Sequence, residues 1–187
     1  MLTYFDLRKG VKFILDGQPY EVLEFQQIGK AQDVVVAKTK IKNLITGKVL
    51  ERNFHQDEIF EEAEIEKTEV RFLYSHQGKF FFCESQNPRN RFEFTEGQIG
   101  LGAKFLKINQ VLTGMKFQGE IINILLPIKV NLKIIEAPPG IRGERAQAGT
   151  KTVTLETNAK INVPLFVEAG DIVEVNTETG EYVRRVE

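Results

Sequence analysis

Short runs of β-branched and aromatic residues recur along the chain with period-two alternation, and polar pairs ending in glycine separate them, which predicts strands nearly throughout. Residues 11–15 (VKFIL) and 20–25 (YEVLEF) flank Asp16-Gly17, and residues 71–74 (RFLY) and 79–83 (KFFFC) flank Gln77-Gly78. Thr46-Gly47 precedes residues 49–54 (VLERNF), Thr113-Gly114 follows Val111-Leu112, and Thr179-Gly180 precedes Tyr182-Val183. Such pairs reverse a strand at low cost because glycine accepts a positive φ. In the last third, runs at 132–135, 152–155, 161–167 and 172–175 are cut by Gly, Pro and Asn at close spacing, the grammar of a small antiparallel barrel. One segment reads as a helix, residues 95–106 (TEGQIGLGAKFL), with Thr95 as N-cap and Gln98 in capping-box position.

Charge rather than linker composition suggests the boundaries. Residues 57–67 (DEIFEEAEIEK) form an acidic junction after one strand set, and Leu126-Pro127-Ile128 precedes another. The expectation is an all-β chain of three small β-barrel domains, over residues 1–63, 64–127 and 128–187.

Composition narrows the function classes. The 187 residues are 42% hydrophobic, enough to bury real cores, and the formal net charge of −1 excludes a wholesale basic coat for RNA while leaving local basic faces open. The single cysteine, Cys83, sits in an apolar run and reads as a packed thiol in a reducing compartment. There is no basic-then-apolar leader at the start and no run near the roughly 18 apolar residues that span a bilayer, so the expectation is a soluble cytoplasmic protein with no membrane partner. His55 and His76 lie apart and outside any metal-ligand spacing. No nucleophile elbow, Walker loop or dinucleotide fingerprint appears, so the chain reads as a non-enzyme with no catalytic residues, metal or cofactor.

Residues 34–42 (VVVAKTKIK) stand out. As a strand they place Lys38, Lys40 and Lys42 on one face and Ala37, Thr39 and Ile41 on the other. Three ammonium groups about 6.6 Å apart come close to the spacing of phosphates along a nucleic-acid strand. The alternative is a solvated face whose lysines discourage edge pairing.

The wording PPG, VPLFV, GD and GEYV in the last third, with GVKFILDGQPYEVLEF and KTKIKNLITGKVLERNF in the first, resembles the bacterial elongation factor P family over essentially the whole chain. The resemblance implies an N-terminal SH3-like (KOW-type) barrel followed by two OB-fold barrels. It also implies a translation factor that binds the 70S ribosome between the sites for peptidyl and exiting tRNA, touches ribosomal RNA, and positions the CCA end of peptidyl-tRNA so that stalls at consecutive prolines are relieved. It favours the RNA-facing reading of the lysine row.

In that family a hairpin loop worded Pro-Gly-Lys-Gly carries a lysine at its tip, often a modification site. Here the words are Ile28-Gly29-Lys30-Ala31, and this chain is longer between its lysine and the next strand set. The tip is Lys30 by wording and Gln32 by length. A modified Lys30 implies a lysine-modifying enzyme as a further partner. The resemblance also directs a loop bearing Arg142 and Arg145 at the small subunit. There Gly143-Glu144-Arg145-Ala146 replaces the usual Gly-Asp-Thr-Ala. It assigns Tyr182 and Arg185 to contacts with ribosome or tRNA, Tyr182 by stacking and Arg185 by pairing with phosphate. The factor is expected to act as a monomer. A generic single-stranded RNA-binding OB-fold protein and a divergent paralogue of the family are the alternatives.

Overall fold

Antiparallel hairpins build the whole chain, and the computed structural model describes residues 1–28, 36–139 and 149–186. Two compact units emerge, Met1–Thr68 with Thr113–Ile124, and Glu69–Leu112 with Leu125–Glu187.

In the first unit the strands are β1 (Leu2–Thr3), β2 (Lys12–Leu15), β3 (Gln18–Ile28), β4 (Val36–Asn43), β5 (Val49–Phe54) and β6 (Ile59–Glu62), arranged β1-β6-β2-β3-β4-β5. Asp16 and Gly17 both take positive φ, 51° and 76°, so the predicted turn closes β2 onto β3 with the twist that flanking strands prefer. The core holds Tyr4, Leu7, Phe13, Val22, Ala37, Ile41, Phe54 and Phe60. Phe13, Phe54 and Phe60 meet edge to face with centroids 4.9–5.7 Å apart, the arrangement that ring quadrupoles favour. After β4, the Asn43 side chain accepts the backbone N–H groups of Ile45 and Thr46 at 2.9 and 2.8 Å and fixes the next turn. Met115, Phe117 and Ile122 pack on Leu44 and Ala63, and the buried Asn123 amide donates to the Leu44 carbonyl at 3.1 Å.

The remaining strands are β7 (Glu66–His76), β8 (Lys79–Glu84), β9 (Arg91–Thr95), β10 (Val111–Phe117) and β11 (Glu120–Leu125), ordered β11-β10-β7-β8-β9, followed by β12 (Lys129–Glu136), β13 (Thr150–Leu155), β14 (Lys160–Pro164), β15 (Ile172–Asn176) and β16 (Tyr182–Arg185), ordered β14-β13-β12-β15-β16. The expectation of an almost wholly β chain with barrel-like sheets is met. Cys83 is buried in β8.

Two local expectations are corrected. Thr113-Gly114 does not turn the chain, because β10 runs straight through it and the reversal comes at Gln118-Gly119, both with positive φ (50° and 87°). Gly114 is buried where the inward parity of β10 changes from Leu112 to Met115 and Phe117, a role for glycine inside a strand rather than at its end.

The second correction concerns residues 95–106, which are not one helix. The capping-box contact forms, with the Thr95 N–H donating to Gln98 Oε1 at 2.9 Å, but α1 (Glu96–Ile99) stops at Gly100, whose φ of 96° and ψ of −172° cannot continue it. A 3₁₀ turn over Leu101–Phe105 follows.

That turn carries the packing of the second unit. Phe105, 1% exposed, joins Leu132, Ile134, Val153, Leu155, Val173 and Val175 in one core. A Cβ on Gly102 would lie 2.4 Å from Leu126 Cδ1 and 3.2 Å from the Thr177 carbonyl, so a side chain there would displace Leu126 and crowd the Thr177 backbone. Thr177 is itself fixed, its hydroxyl donating to the Pro127 carbonyl at 2.7 Å.

Phe105→Ala is expected to lower unfolding free energy by about 3–5 kcal/mol and Gly102→Ala by about 1–3 kcal/mol, both read from urea denaturation. A loss under 1 kcal/mol for Phe105→Ala would show that the ring does not anchor this core.

Candidate nucleic-acid interface

The alternation expected of residues 34–42 holds wherever they are described. Along β4, Ala37, Thr39 and Ile41 are buried, while Lys38 is exposed and Lys40 and Lys42 are half-buried on the opposite face. Burial of Thr39 is tolerated because its hydroxyl donates to the Arg52 carbonyl at 2.8 Å.

Register then decides what surrounds each ammonium. Lys40 lies opposite Glu24 on β3 and Glu51 on β5, and Lys42 lies opposite Glu21. Lys40 Nζ sits 3.4 Å from Glu24 Oε1, and Lys38 Nζ 3.6 Å from Glu51 Oε2. The face is therefore a ladder of mixed charge rather than a bare row of cations. Exposed pairs of this kind are worth about 0–1 kcal/mol, little enough for a phosphate to compete. Arg8 and Lys9 join Lys38 and Lys40 along one open groove also lined by Leu23 and Phe25, giving four cations to the two carboxylates Glu24 and Glu51. Sequence reasoning missed Arg8 and Lys9, whose one signal was the RKG wording before the first long strand run.

The tip assignments Gly29, Lys30, Ala31 and Gln32 lie outside the described residues, as do Arg142 and Arg145. What is described is the β3–β4 hairpin that leads there, paired without interruption from Glu24↔Lys40 to Ile28↔Val36. These pairs are symmetric about position 32, so the residue midway between them in sequence is Gln32.

At the other end of the chain, β16 is an edge strand paired only with β15 in its sheet. Tyr182 is half-buried against the core of that sheet, so its ring serves packing as well as any contact outside. Arg184 Nη2 lies 3.3 Å from Glu174 Oε2, and Lys129 Nζ lies 3.2 Å from Glu174 Oε1. The Lys129 ammonium holds the Glu174 carboxyl below its ordinary value, burial opposes this, and Arg184 adds to the lowering. Arg185 Nη1 lies 3.5 Å from Asp171 Oδ2, and its guanidinium stands 5.8 Å from the Phe166 ring centroid. Lys38, Lys40 and Lys42 thus share one sheet face, while Tyr182 and Arg185 share one edge strand.

A partly exposed ion pair on the same unit follows the same logic. Burial raises the Glu156 carboxyl, but the Lys107 ammonium at 2.7 Å and the Lys133 backbone N–H outweigh it and leave the value lowered. Among the described residues, no three His, Cys, Asp or Glu side chains gather as a metal set, and no helix is long and apolar enough to cross a membrane.

Residues 4–60 match the family described as Elongation factor P (EF-P) KOW-like domain, and residues 130–185 match the one described as Elongation factor P, C-terminal. The chain is 37% identical over 186 residues to Elongation factor P of Carboxydothermus hydrogenoformans, covering 100% of both chains. It is 38% identical over 185 residues to Elongation factor P of Synechococcus sp. strain JA-3-3Ab, covering 99% of this chain and 100% of that one. A solved structure of eukaryotic translation initiation factor 5A from Methanococcus jannaschii overlays with a TM-score of 0.46 at 13% identity, over 66% of this chain and 94% of that one.

The Glu174 cluster sets a pH dependence. Its folded value lies below the ordinary 4.5, so the ionised carboxylate adds stability that is complete above that pH and is lost as pH falls through the lowered folded value. Glu174→Gln is expected to be less stable than the wild type at pH 7, with the gap closing by pH 3. Urea denaturation at the two pH values checks this, and a gap of equal size at both would contradict it.

Proposed function

The chain belongs to the elongation factor P family, a family of translation elongation factors, and from that premise we propose that it binds the ribosome between the sites for peptidyl and exiting tRNA and speeds peptide-bond formation where consecutive prolines stall it. The observation that carries this reading is the long β3–β4 hairpin, which bears the lysine face on one strand and is closed in sequence by residues 29–35, Lys30 among them.

In this reading the 70S ribosome supplies the chemistry and the factor supplies position. Proline is a poor participant because its ring fixes φ and constrains the nascent chain near the reacting carbonyl. A hydrogen-bond donor from residues 29–32 to the CCA backbone of peptidyl-tRNA holds the reacting end near its attack geometry, which removes part of the entropic barrier. No catalytic group, metal or cofactor is asked of this chain. Modification of Lys30 by a lysine-modifying enzyme would extend the donor's reach. Lys38, Lys40 and Lys42, with Arg8 and Lys9, contact RNA backbone near the hairpin, while Arg142, Arg145, Tyr182 and Arg185 anchor the other end on ribosomal RNA. The factor acts in the cytoplasm as a monomer.

The deciding assay is reconstituted synthesis of a Pro-Pro-Pro peptide at saturating factor, paired with ribosome pelleting. Lys30→Ala is expected to pellet within about twofold of the wild type, since distant contacts supply affinity, and to lose most of the acceleration, since that depends on one positioned end. If Gln32→Ala is the more damaging, the tip belongs to Gln32. If wild-type protein binds free single-stranded RNA as tightly as ribosomes, a generic RNA-binding role replaces the proposal.

Removing a competing carboxylate should act in the opposite direction. Glu51→Gln is expected to tighten ribosome binding a few-fold at low salt and to steepen its loss as salt rises, because an unpaired Lys38 releases more counterion on meeting phosphate. An unchanged salt slope would take Lys38 out of the interface.

A further inference from the structure

The turn after β14 presents an aromatic ring to solvent under firm backbone control. Val167 is 0% exposed in the core, its N–H donates to the Pro164 carbonyl at 3.2 Å, and the Leu165 N–H donates to the Gly149 carbonyl at 3.3 Å. Phe166, between them, is 61% exposed. Two other exposed aromatics, Phe5 and Tyr74, rest on neighbouring rings, Tyr4 and Phe81. Phe166 instead meets a cation, the Arg185 guanidinium at 5.8 Å from its centroid, within cation–π reach.

That guanidinium is held from a second side. Asp171 Oδ2 accepts the Glu168 backbone N–H at 2.9 Å, which fixes the carboxylate in its turn, and the same oxygen lies 3.5 Å from Arg185 Nη1. A single contact of this kind leaves most of the five guanidinium N–H donors free. The neighbouring Arg184 is also mostly exposed and adds a second cation to the strand. A fixed ring with a fixed cation beside it offers what an unpaired nucleotide needs, an aromatic face for the base and a fork of donors for the phosphate.

We propose that Phe166 and Arg185 form a stacking platform for an unpaired base of ribosomal RNA, with Asp171 as the positioning residue that aims the guanidinium. The proposal rests on the ribosome-binding reading above and adds to it a base contact. It explains why a large apolar ring stands in solvent beside an arginine.

The sequence contains no tryptophan, so Phe166→Trp places a lone reporter at the site. Titration with 70S ribosomes is expected to quench the indole emission beyond the baseline set by the same ribosomes added to free N-acetyltryptophanamide, because stacking on a base quenches indole. Phe166→Leu keeps an apolar side chain and an unchanged urea midpoint, and is expected to weaken ribosome pelleting about tenfold. Asp171→Asn is expected to weaken it less, with Asp171→Glu restoring most of the loss. Wild-type-like pelleting by Phe166→Leu while the wild type binds overturns the platform alone. An indole emission that brightens and shifts to the blue assigns the ring to a protein partner and overturns it too. A wild type that fails to pellet overturns the ribosome-binding reading itself.

Discussion

Strand pleating against the Phe13, Phe54 and Phe60 rings is the constraint from which the outer face of the first sheet follows. Once Ala37, Thr39 and Ile41 of β4 are committed to that core, the side-chain period of two leaves Lys38, Lys40 and Lys42 no face but the solvent one. A one-residue slip would bury three ammonium groups, each at a desolvation penalty far above the worth of any surface pair, so the register is strongly specified. The same register brings Glu24 and Glu51 beside the lysines. Position and partial neutralisation of the basic face are thus two results of one packing decision.

Carboxylates recur as the groups that aim cations. Glu51 and Glu24 meet Lys38 and Lys40, Glu174 meets Lys129 and Arg184, and Asp171 meets Arg185. Most of these pairs are solvent-exposed and add little stability. Their effect is on where the cation stands and on how readily it exchanges its partner for a phosphate. Near-neutral net charge and a local basic face are therefore compatible in one chain.

The second unit gains order from a segment with almost no regular structure. Ending α1 at Gly100 turns the chain so that Phe105 reaches a core made mostly from the strands of the third sheet, and Gly102 leaves room for the close approach to Thr177. Burying a phenylalanine ring is among the larger single contributions available to a small core. It also ties the turn at Leu101–Phe105 to β12, β13 and β15.

The hairpin at Asp16-Gly17, the contact of Thr95 with Gln98, the burial of Cys83 and the alternation along β4 were legible in the sequence because each depends on neighbours a few residues away or on the strand period. Family wording at both ends of the chain was legible for the same reason, being local. The reversal falls at Gln118-Gly119 rather than at Thr113-Gly114, and spacing does not separate the two glycine pairs because only packing shows that Gly114 is buried inside β10. The Asn123 contact to Leu44 across 79 residues, the carboxylate beside each lysine, and the Phe166–Arg185–Asp171 cluster could not be read from spacing. Local chemistry and periodicity, carried by the sequence itself, determined the strands, the turns and the basic face of this protein. Tertiary structure alone decided which charges meet and which ring stays in solvent, because those depend on register and on contacts between residues far apart in the chain.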